Sequence, residues 1–228
     1  MKTAIYGGTR NLYPLMAPAI KSLLTNTSVD QVYLLIEDDK FPEWLPDCVH
    51  TVNVSNQPYF DPKGPNYNNH WTYMTMMKAA YWKMFPDVDK ALCLDIDTYV
   101  EQNVDELWDI DMTDIFCAGV KDRVGNGSPY INAGSMMLNF ELLRKTGVGE
   151  KLIEFLNTKK TTYPEQDAIN IYCKGKILNL PGDYNASKVT ELTSNPKIVH
   201  FAGYMYWTNN KYTKKWTEAP WPDRVMPK

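Results

Sequence analysis

Short, almost continuous apolar segments recur along the first half of this chain and constrain its fold more than any other feature. Each is four to six residues long, which is the usual length of a strand. Such segments are typical of strands in a sheet that is covered on both faces. The predicted strands are Thr3–Tyr6, Val32–Ile36, Val49–Val54, Ala91–Asp95 and Ile115–Val120. A sheet of this kind needs helices on both sides.

Segments with helical spacing of apolar residues separate and follow these strands. The predicted helices are Leu15–Leu24, Tyr73–Met84, Val148–Leu156 and Asp167–Tyr172, and Pro86 ends the second. The alternation predicts an α/β protein with a mostly parallel sheet and right-handed crossovers. Asn56–Asn69, rich in Pro, Asn and Gly, is predicted to be a long surface loop near the functional site.

The composition is that of an ordinary globular protein and argues against nucleic acid as a partner. The 228 residues suffice for one domain with at most a small appendage. A formal net charge of −3 gives no general attraction for nucleic acid. The N-terminus enters a strand pattern directly, no apolar stretch is long enough to span a bilayer, and the four cysteines have no metal or redox spacing. We therefore expect a cytoplasmic protein.

Two aspartates one residue apart, Asp95 and Asp97, follow the fourth predicted strand. In an extended segment alternate residues face the same way, so both carboxylates would project to one side and Ile96 to the other. The pair lies at the carboxyl end of a strand, where α/β proteins bind ligands. A divalent cation would offset the repulsion between the two acids. The alternative is a polar strand end whose acids simply face water.

Five segments resemble, in order along the chain, the motifs of glycosyltransferase family 8, which includes glycogenin and bacterial lipooligosaccharide galactosyltransferases. Asp95-Ile96-Asp97 resembles the metal-binding DxD motif of that family. The others are Thr9, Asn11 and Tyr13, which resemble a T-x-D-x-Y turn; Asn132-Ala133-Gly134, which resembles N-A-G; Glu165-Gln166-Asp167, which resembles D-Q-D; and His200-Phe201-Ala202-Gly203, which resembles H-F-x-G. The resemblance implies a single-domain GT-A fold over residues 1–203, with a mixed, mostly parallel Rossmann-like sheet, and a tail over residues 204–228.

The resemblance assigns one half of the expected site to a metal ion and to the diphosphate of a UDP-sugar. Asp95, Asp97 and His200 would be the metal ligands. Mixed carboxylate and imidazole ligation favours Mn²⁺, with Mg²⁺ as an alternative. Such a cation stabilises the charge on the diphosphate as it leaves. Taken alone, His200 would more often be a packed histidine at a strand end, and the other four segments reverse that balance.

Further residues are implied to bind the nucleotide and its sugar. Thr9, Asn11 and Tyr13 would contact the nucleotide, with the Tyr13 ring against the uracil, and Asn11 replaces the aspartate that is usual in the family. Lys78 resembles the family's basic residue that touches the donor, and Lys83 competes for this role. The other expected donor contacts are Ile96, Asn132, Ala133, Gly134 and Gly203.

Glu165, Gln166 and Asp167 are the expected catalytic residues, because the family has this segment beneath the anomeric carbon. The family also implies retention of the anomeric configuration. No carboxylate is an obvious nucleophile, so we favour front-face displacement in which Gln166 stabilises positive charge at the anomeric centre. Acids in the first turn of a helix are favoured by the helix dipole regardless of catalysis. Asp167 in particular is a candidate for a structural bond to turn amides.

The predicted function is that of a metal-dependent retaining hexosyltransferase using UDP-glucose or UDP-galactose. A glycan, a lipid-linked sugar and a protein side chain all stay open as the acceptor. The alternatives are a non-catalytic relative that binds sugar nucleotides or glycans and, with less support, a sugar nucleotidyltransferase.

The C-terminal tail carries one departure from the family. Tyr206 stands where the family usually has a lysine that binds the diphosphate, and Lys211, Lys214 and Lys215 are candidates to replace that charge. The tail interleaves aromatic residues with lysines, which is typical of a packed lid, a carbohydrate platform or a peripheral membrane contact. A homodimer is also compatible with the sequence.

Overall fold

A seven-stranded mixed sheet forms the centre of the protein. The computed structural model describes residues 1–124 and 130–202. The strands within these residues are β1 (Thr3–Gly7), β2 (Gln31–Ile36), β3 (Val49–Asn53), β4 (Lys90–Asp95), β5 (Thr98–Val100), β6 (Cys117–Lys121), β7 (Ile131–Asn139), β8 (Ile177–Leu180) and β9 (Ile198–His200). The main sheet has the order β3-β2-β1-β4-β7-β6-β8, while β5 and β9 form a separate pair. Only β7 runs antiparallel to its neighbours in the main sheet, so the predicted mostly parallel sheet is confirmed.

Helices cover both faces of this sheet. They are α1 (Tyr13–Asn26), α2 (Thr72–Met76), α3 (Tyr81–Met84), α4 (Phe140–Thr146), α5 (Val148–Thr158) and α6 (Pro164–Tyr172). α1 packs against one face and the other five against the opposite face. In β1, Ile5 contributes to the core on the side of the five helices, and Ala4 and Tyr6 to the core on the side of α1. Burial on both faces explains why the strands are almost continuously apolar.

The predicted helices differ from the observed ones in their bounds, and two of these differences bear on the site. The predicted helix Tyr73–Met84 consists of α2 and α3 joined by a 3₁₀ segment, Met77–Ala80. The predicted helix Asp167–Tyr172 begins three residues earlier, at Pro164, because proline is well tolerated in the first helical turn. The 3₁₀ segment contains Lys78, which is only 3% exposed.

The loop Asn56–Asn69 is irregular, as predicted, and a buried asparagine attaches it to α5. Asn66 is 1% exposed, and its Nδ2 donates to the carbonyls of Leu156 at 2.8 Å and Lys159 at 2.7 Å. Its Oδ1 accepts from the amide of Thr161 at 3.1 Å. These bonds position the loop beside the segment that leads into α6.

The C-terminal part of the sequence prediction lies outside the described residues. This holds for Gly203 and for the whole tail 204–228, which includes Tyr206 and the candidate lysines Lys211, Lys214 and Lys215. In the part of the chain that the structure describes, no helix is long and apolar enough to cross a membrane.

Candidate active site

The Asp95-Ile96-Asp97 segment lies where the two sheets meet. β4 ends at Asp95, Ile96 and Asp97 form a turn, and β5 begins at Thr98. A turn, and not the strand alternation that the sequence predicts, therefore brings the two aspartates together, while Ile96 is buried in the core. β5 pairs antiparallel to β9 with Thr98 opposite His200. This long-range pairing puts His200 beside both aspartates.

The three side chains fit a divalent cation. His200 Nε2 lies 3.4 Å from Asp97 Oδ1 and 3.6 Å from Asp95 Oδ2, and one ligand atom from each residue lies within 4.8 Å of the others. Ligands of one ion lie roughly 3 Å apart, so small side-chain movements would complete the coordination. The His200 side chain is 5% exposed, whereas those of Asp95 and Asp97 are 33% and 25% exposed. One side of the cluster is therefore open to a ligand.

Neighbouring charges perturb the ionisation of this cluster. Burial lowers the pKa of His200, but Asp97 and Asp95 together raise it above its ordinary value. Conversely, burial raises the pKa of Asp97, but His200, a backbone hydrogen bond and Lys78 together lower it below its ordinary value. A cation that binds at His200 therefore competes with a proton.

Of the two candidate lysines Lys78 and Lys83, Lys78 reaches the cluster. Its Nζ forms an ion pair with Asp95 and donates to the carbonyl of Ala133 at 2.9 Å. Burial lowers the pKa of Lys78, but Asp95 and Glu165 together raise it above its ordinary value. The competing candidate, Lys83, lies on the outer surface, paired with Glu150 at 2.9 Å. Lys78 therefore supplies a buried positive charge at the edge of the metal cluster.

Gln166 lies in the first turn of α6 with both polar atoms of its side chain bonded. Its Oε1 accepts from Ala133 N at 2.9 Å and from Asn132 Nδ2 at 3.1 Å. Its Nε2 donates to Asp122 Oδ2 at 3.2 Å and to Tyr130 Oη at 3.3 Å. The residue is 7% exposed. These bonds fix the amide in one orientation against the Asn132-Ala133-Gly134 segment.

The two acids beside Gln166 have different environments. Glu165 is 8% exposed, and burial raises its pKa despite the opposing charge of Lys78. Asp167 accepts from the amide of Tyr163 at 2.9 Å and from the hydroxyl of Tyr130 at 2.5 Å. The bond to Tyr163 satisfies the backbone amide of the N-cap residue at the start of α6. Asp167 thus makes the kind of bond to a turn amide that the sequence analysis names as its possible structural role.

Gly134 makes room for His200. A Cβ atom on Gly134 would lie 2.0 Å from Cε1 and 2.5 Å from Nδ1 of the imidazole. The sequence reasoning expects a glycine here so that the sugar can approach the backbone, whereas the structure shows a close contact with the candidate metal ligand. Asn132, two residues earlier, accepts from the amide of Gly134 at 2.9 Å.

The predicted nucleotide-binding turn lies at the carboxyl end of β1, close to β4. Thr9 Oγ1 donates to Asn11 Oδ1 at 2.6 Å. Tyr13 is 4% exposed, packs against Phe41 with ring centroids 5.3 Å apart, and accepts from the amide of Glu37 at 3.0 Å. The Tyr13 ring is thus packed within the protein, and Thr9 and Asn11 are the more accessible members of this turn.

Sequence reasoning did not find Asp122 and Asn185, which are both buried in the site. Asp122 is 3% exposed and directly follows β6, as Asp95 ends β4, and this strand-end position is a signal that could have identified it. Asn185 is 0% exposed and bonds to Asn132 and His200, each at 2.9 Å. No sequence signal marks Asn185, because both partners are brought to it only by the fold.

Aromatic side chains flank the start of α6. Trp71 is 42% exposed, and its ring centroid lies 5.8 Å from that of Tyr163 and 5.2 Å from that of His70. The next residue, Thr72, has a φ of 64°, which is unusual for a β-branched side chain. Backbone strain of this kind often accompanies functional sites.

The α/β sheet thus carries a candidate metal cluster of two acids and a histidine at its carboxyl edge. A family model described as glycosyl transferase family 8 matches residues 5–217. The chain belongs to this family of retaining glycosyltransferases, which generally use a divalent metal and a UDP-sugar.

Curated relatives match part of the chain. A putative glycosyltransferase of Haemophilus influenzae is 28% identical over 139 residues, covering 54% of this chain and 41% of the relative. General stress protein A of Bacillus subtilis is 27% identical over 164 residues, covering 55% of this chain and 57% of the relative. The chain thus spans about half the length of these two relatives.

Solved structures share the fold over almost the whole chain. The galactosyltransferase LgtC, in complex with donor and acceptor sugar analogues, has a TM-score of 0.74 at 18% identity, covering 95% of this chain and 94% of that chain. The glycosyltransferase GlyE of Streptococcus pneumoniae TIGR4 has a TM-score of 0.71 at 18% identity, covering 95% of this chain and 59% of that chain. The predicted GT-A fold is therefore confirmed.

Proposed function

We propose that the protein is a metal-dependent retaining hexosyltransferase that transfers glucose or galactose from a UDP-sugar. The observation that carries the proposal is the cluster of Asp95, Asp97 and His200 in a chain of glycosyl transferase family 8. Two further relatives support a hexose. They are a lipopolysaccharide 1,2-glucosyltransferase of Escherichia coli and a lipopolysaccharide 1,3-galactosyltransferase of Salmonella typhimurium, each 24% identical, over 64% and 59% of this chain.

Positive charge at the donor diphosphate comes from two sources in this proposal. Asp95, Asp97 and His200 would hold Mn²⁺, or Mg²⁺ in its place, and the bound cation would stabilise the negative charge that develops on the diphosphate. Lys78 lies beside Asp95 and adds a fixed positive charge at the same edge of the sheet. Both favour departure of UDP from the sugar.

Front-face displacement remains the favoured route to retention. The acceptor hydroxyl oxygen bonds to the anomeric carbon, the bond to the diphosphate breaks, and the hydroxyl proton passes to the departing diphosphate. Asp167 is a poor nucleophile because both of its oxygens are hydrogen-bonded, and Glu165 because its side chain is buried. Gln166, held on four hydrogen bonds, is the group proposed to face the anomeric centre.

A sugar-containing acceptor, either a glycan or a lipid-linked sugar, is favoured over a protein side chain. Trp71 and Tyr163 present partly exposed rings just before the helix that carries Gln166. Aromatic rings combine an apolar face with tolerance of a polar surrounding, which suits the mixed surface of a sugar. We place the reaction in the cytoplasm, supported by the buried free thiols of Cys93, Cys117 and Cys173.

Release of UDP from a panel of UDP-sugars tests this proposal. With Mn²⁺ present, UDP-glucose or UDP-galactose should release UDP, and both EDTA and Asp97→Asn should abolish the release. Asp111→Asn, which changes an exposed aspartate outside the site, is the matched control and should keep wild-type activity. Loss of activity in Asp97→Asn reflects loss of a negatively charged ligand and not loss of fold if its melting temperature is unchanged.

Two results would redirect the proposal. Binding of a UDP-sugar without any release of UDP would favour a non-catalytic relative. Consumption of UTP and a sugar 1-phosphate with release of pyrophosphate would indicate a nucleotidyltransferase. In addition, a glycosyl adduct on Glu165 or Asp167, detected by mass spectrometry, would replace front-face displacement by a covalent mechanism.

A further inference from the structure

A chain of buried side-chain amides connects Asp122 to His200. Asn132 Nδ2 donates to Asp122 Oδ2 at 2.9 Å, and Asn185 Nδ2 donates to Asn132 Oδ1 at 2.9 Å. Asn185 Oδ1 then lies 2.9 Å from His200 Nδ1. Asp122, Asn132, Asn185 and His200 are each less than 8% exposed, so water has little access to the hydrogen bonds between them.

The direction of every bond in this chain is determined at the Asn132 end. The Asp122 carboxylate can only accept, so the Asn132 amide nitrogen must face it. The backbone amide of Gly134 can only donate, and it bonds to Asn132 Oδ1 at 2.9 Å. Asn132 therefore presents its oxygen to Asn185, which must turn its own nitrogen toward Asn132 and its oxygen toward His200.

The orientation of Asn185 determines the tautomer of His200. An amide oxygen can only accept, so His200 Nδ1 must carry the hydrogen, and the lone pair of the neutral ring is then on Nε2. Nε2 is the atom that faces Asp95 and Asp97. Without this chain, an Nε2–H group could instead donate to either carboxylate, which would block the nitrogen as a ligand.

We propose that Asn185 is a positioning residue that holds His200 in the tautomer able to bind a metal ion, under the control of Asp122 and Asn132. Asn132 also bonds to Gln166 Oε1 at 3.1 Å, so one chain connects the metal ligand to the segment proposed to face the sugar. A hydrogen-bonded partner behind a metal-bound histidine commonly increases metal affinity by about 10- to 100-fold. The inference rests on the proposed function only for the identity of the ligand that His200 binds.

Long-range ¹H–¹⁵N spectra of histidine side chains test the tautomer directly, without metal or substrate. At alkaline pH, where the imidazole is neutral, wild-type His200 should be the Nδ1–H tautomer, with its signals assigned by their loss in His200→Gln. Asn185→Leu removes both hydrogen bonds at similar volume, and a substantial Nε2–H population should appear. Asn185→Asp keeps an acceptor at Nδ1 and should preserve the Nδ1–H tautomer.

Calorimetric titration with Mn²⁺ gives the second readout. Asn185→Leu should raise the Kd for Mn²⁺ by about 10- to 100-fold, whereas Asn185→Asp should stay within a few-fold of wild type. Asn139→Leu, which removes a buried amide distant from the cluster, should leave the tautomer and the Mn²⁺ affinity unchanged.

An Nε2–H tautomer in the wild-type protein would overturn the inference even if Asn185→Leu failed to fold. An equal loss of Mn²⁺ affinity in Asn185→Asp and Asn185→Leu would also contradict it. If the wild-type protein bound no Mn²⁺ but kept the Nδ1–H tautomer, the proposed function would fail while the positioning of His200 by Asn185 stood.

Discussion

Gly134→Ala is expected to disable the metal site by displacing His200. The added Cβ would lie 2.0 Å from His200 Cε1, whereas ordinary contact begins at 3.4 Å, so the two groups must separate by about 1.4 Å. Coordination tolerates changes in metal–ligand distance of only about 0.2 Å. The ring can yield only by giving up its place beside the aspartates or its bond to Asn185.

The expected loss of affinity follows from these distances. Removing His200 from the ligand set should weaken Mn²⁺ binding by at least about 100-fold, which corresponds to roughly 2.7 kcal/mol. Overpacking should also lower the free energy of unfolding by about 1–3 kcal/mol. The fold should survive, because the contact is with one side chain at the edge of the sheet and not with its central backbone.

Calorimetric titration of Mn²⁺ into four variants, Gly134→Ala, Gly119→Ala, His200→Ala and the double variant of the first and third, separates the possible causes. Gly119→Ala is the matched control, since the one atom that its Cβ would approach more closely than ordinary contact is the end of the Ile131 side chain, at 2.9 Å. It should bind Mn²⁺ as the wild type does. In a His200→Ala background, Gly134→Ala should have no further effect on affinity. Wild-type affinity in Gly134→Ala, or an undiminished effect without the imidazole, would refute the reasoning.

Two further predictions concern pH and the loop beside the site. Mn²⁺ affinity should increase as pH rises through the pKa of His200, because Nε2 must lose its proton to bind the metal ion. Asp97 and Asp95 raise this pKa, and Lys78 lowers it. A Kd that stayed constant in titrations between about pH 6 and 9 would contradict this ionisation. In protein without metal, the free energy of unfolding should change with pH in the opposite direction. The raised pKa of His200 contributes stability below the unfolded value of 6.5, and this contribution is lost as pH rises through the folded pKa. Asn66→Ala removes three hydrogen bonds to the segment before α6 and should lower the free energy of unfolding, measured in urea, by about 2–4 kcal/mol. Asn68 is exposed, and Asn68→Ala should change the free energy of unfolding by less than about 0.5 kcal/mol. Equal effects of the two substitutions would show that Asn66 does not anchor the loop.

The strands and most helices could be predicted from local sequence. Burial on both faces gave the strands of the sheet centre a continuous apolar pattern, and the helical periods were equally local. β5 and β8 were not predicted: β5 has three residues, and the edge strand β8 has exposed residues in its middle. The 3₁₀ segment that directs Lys78 into the site has the same apolar pattern as the helices on either side of it.

The members of the candidate site divide in a similar way. Asp95 and Asp97 were identified because two acids end an apolar strand, but the turn that brings them together was not predicted. His200 required the family resemblance, since only the pairing of β5 with β9 brings it to the aspartates. Asn185 acts through hydrogen bonds between distant segments, which no local pattern encodes, whereas Asp122 directly follows β6 and could have been identified from that strand-end position.

The most direct test of the account is anomalous diffraction at the manganese edge from crystals grown with Mn²⁺ and UDP. We expect one strong peak bounded by Asp95, Asp97 and His200 Nε2, with oxygens of the diphosphate completing the coordination. A UDP molecule bound without a peak there, or a peak on other residues alone, would contradict the claim that this cluster is the metal and diphosphate site.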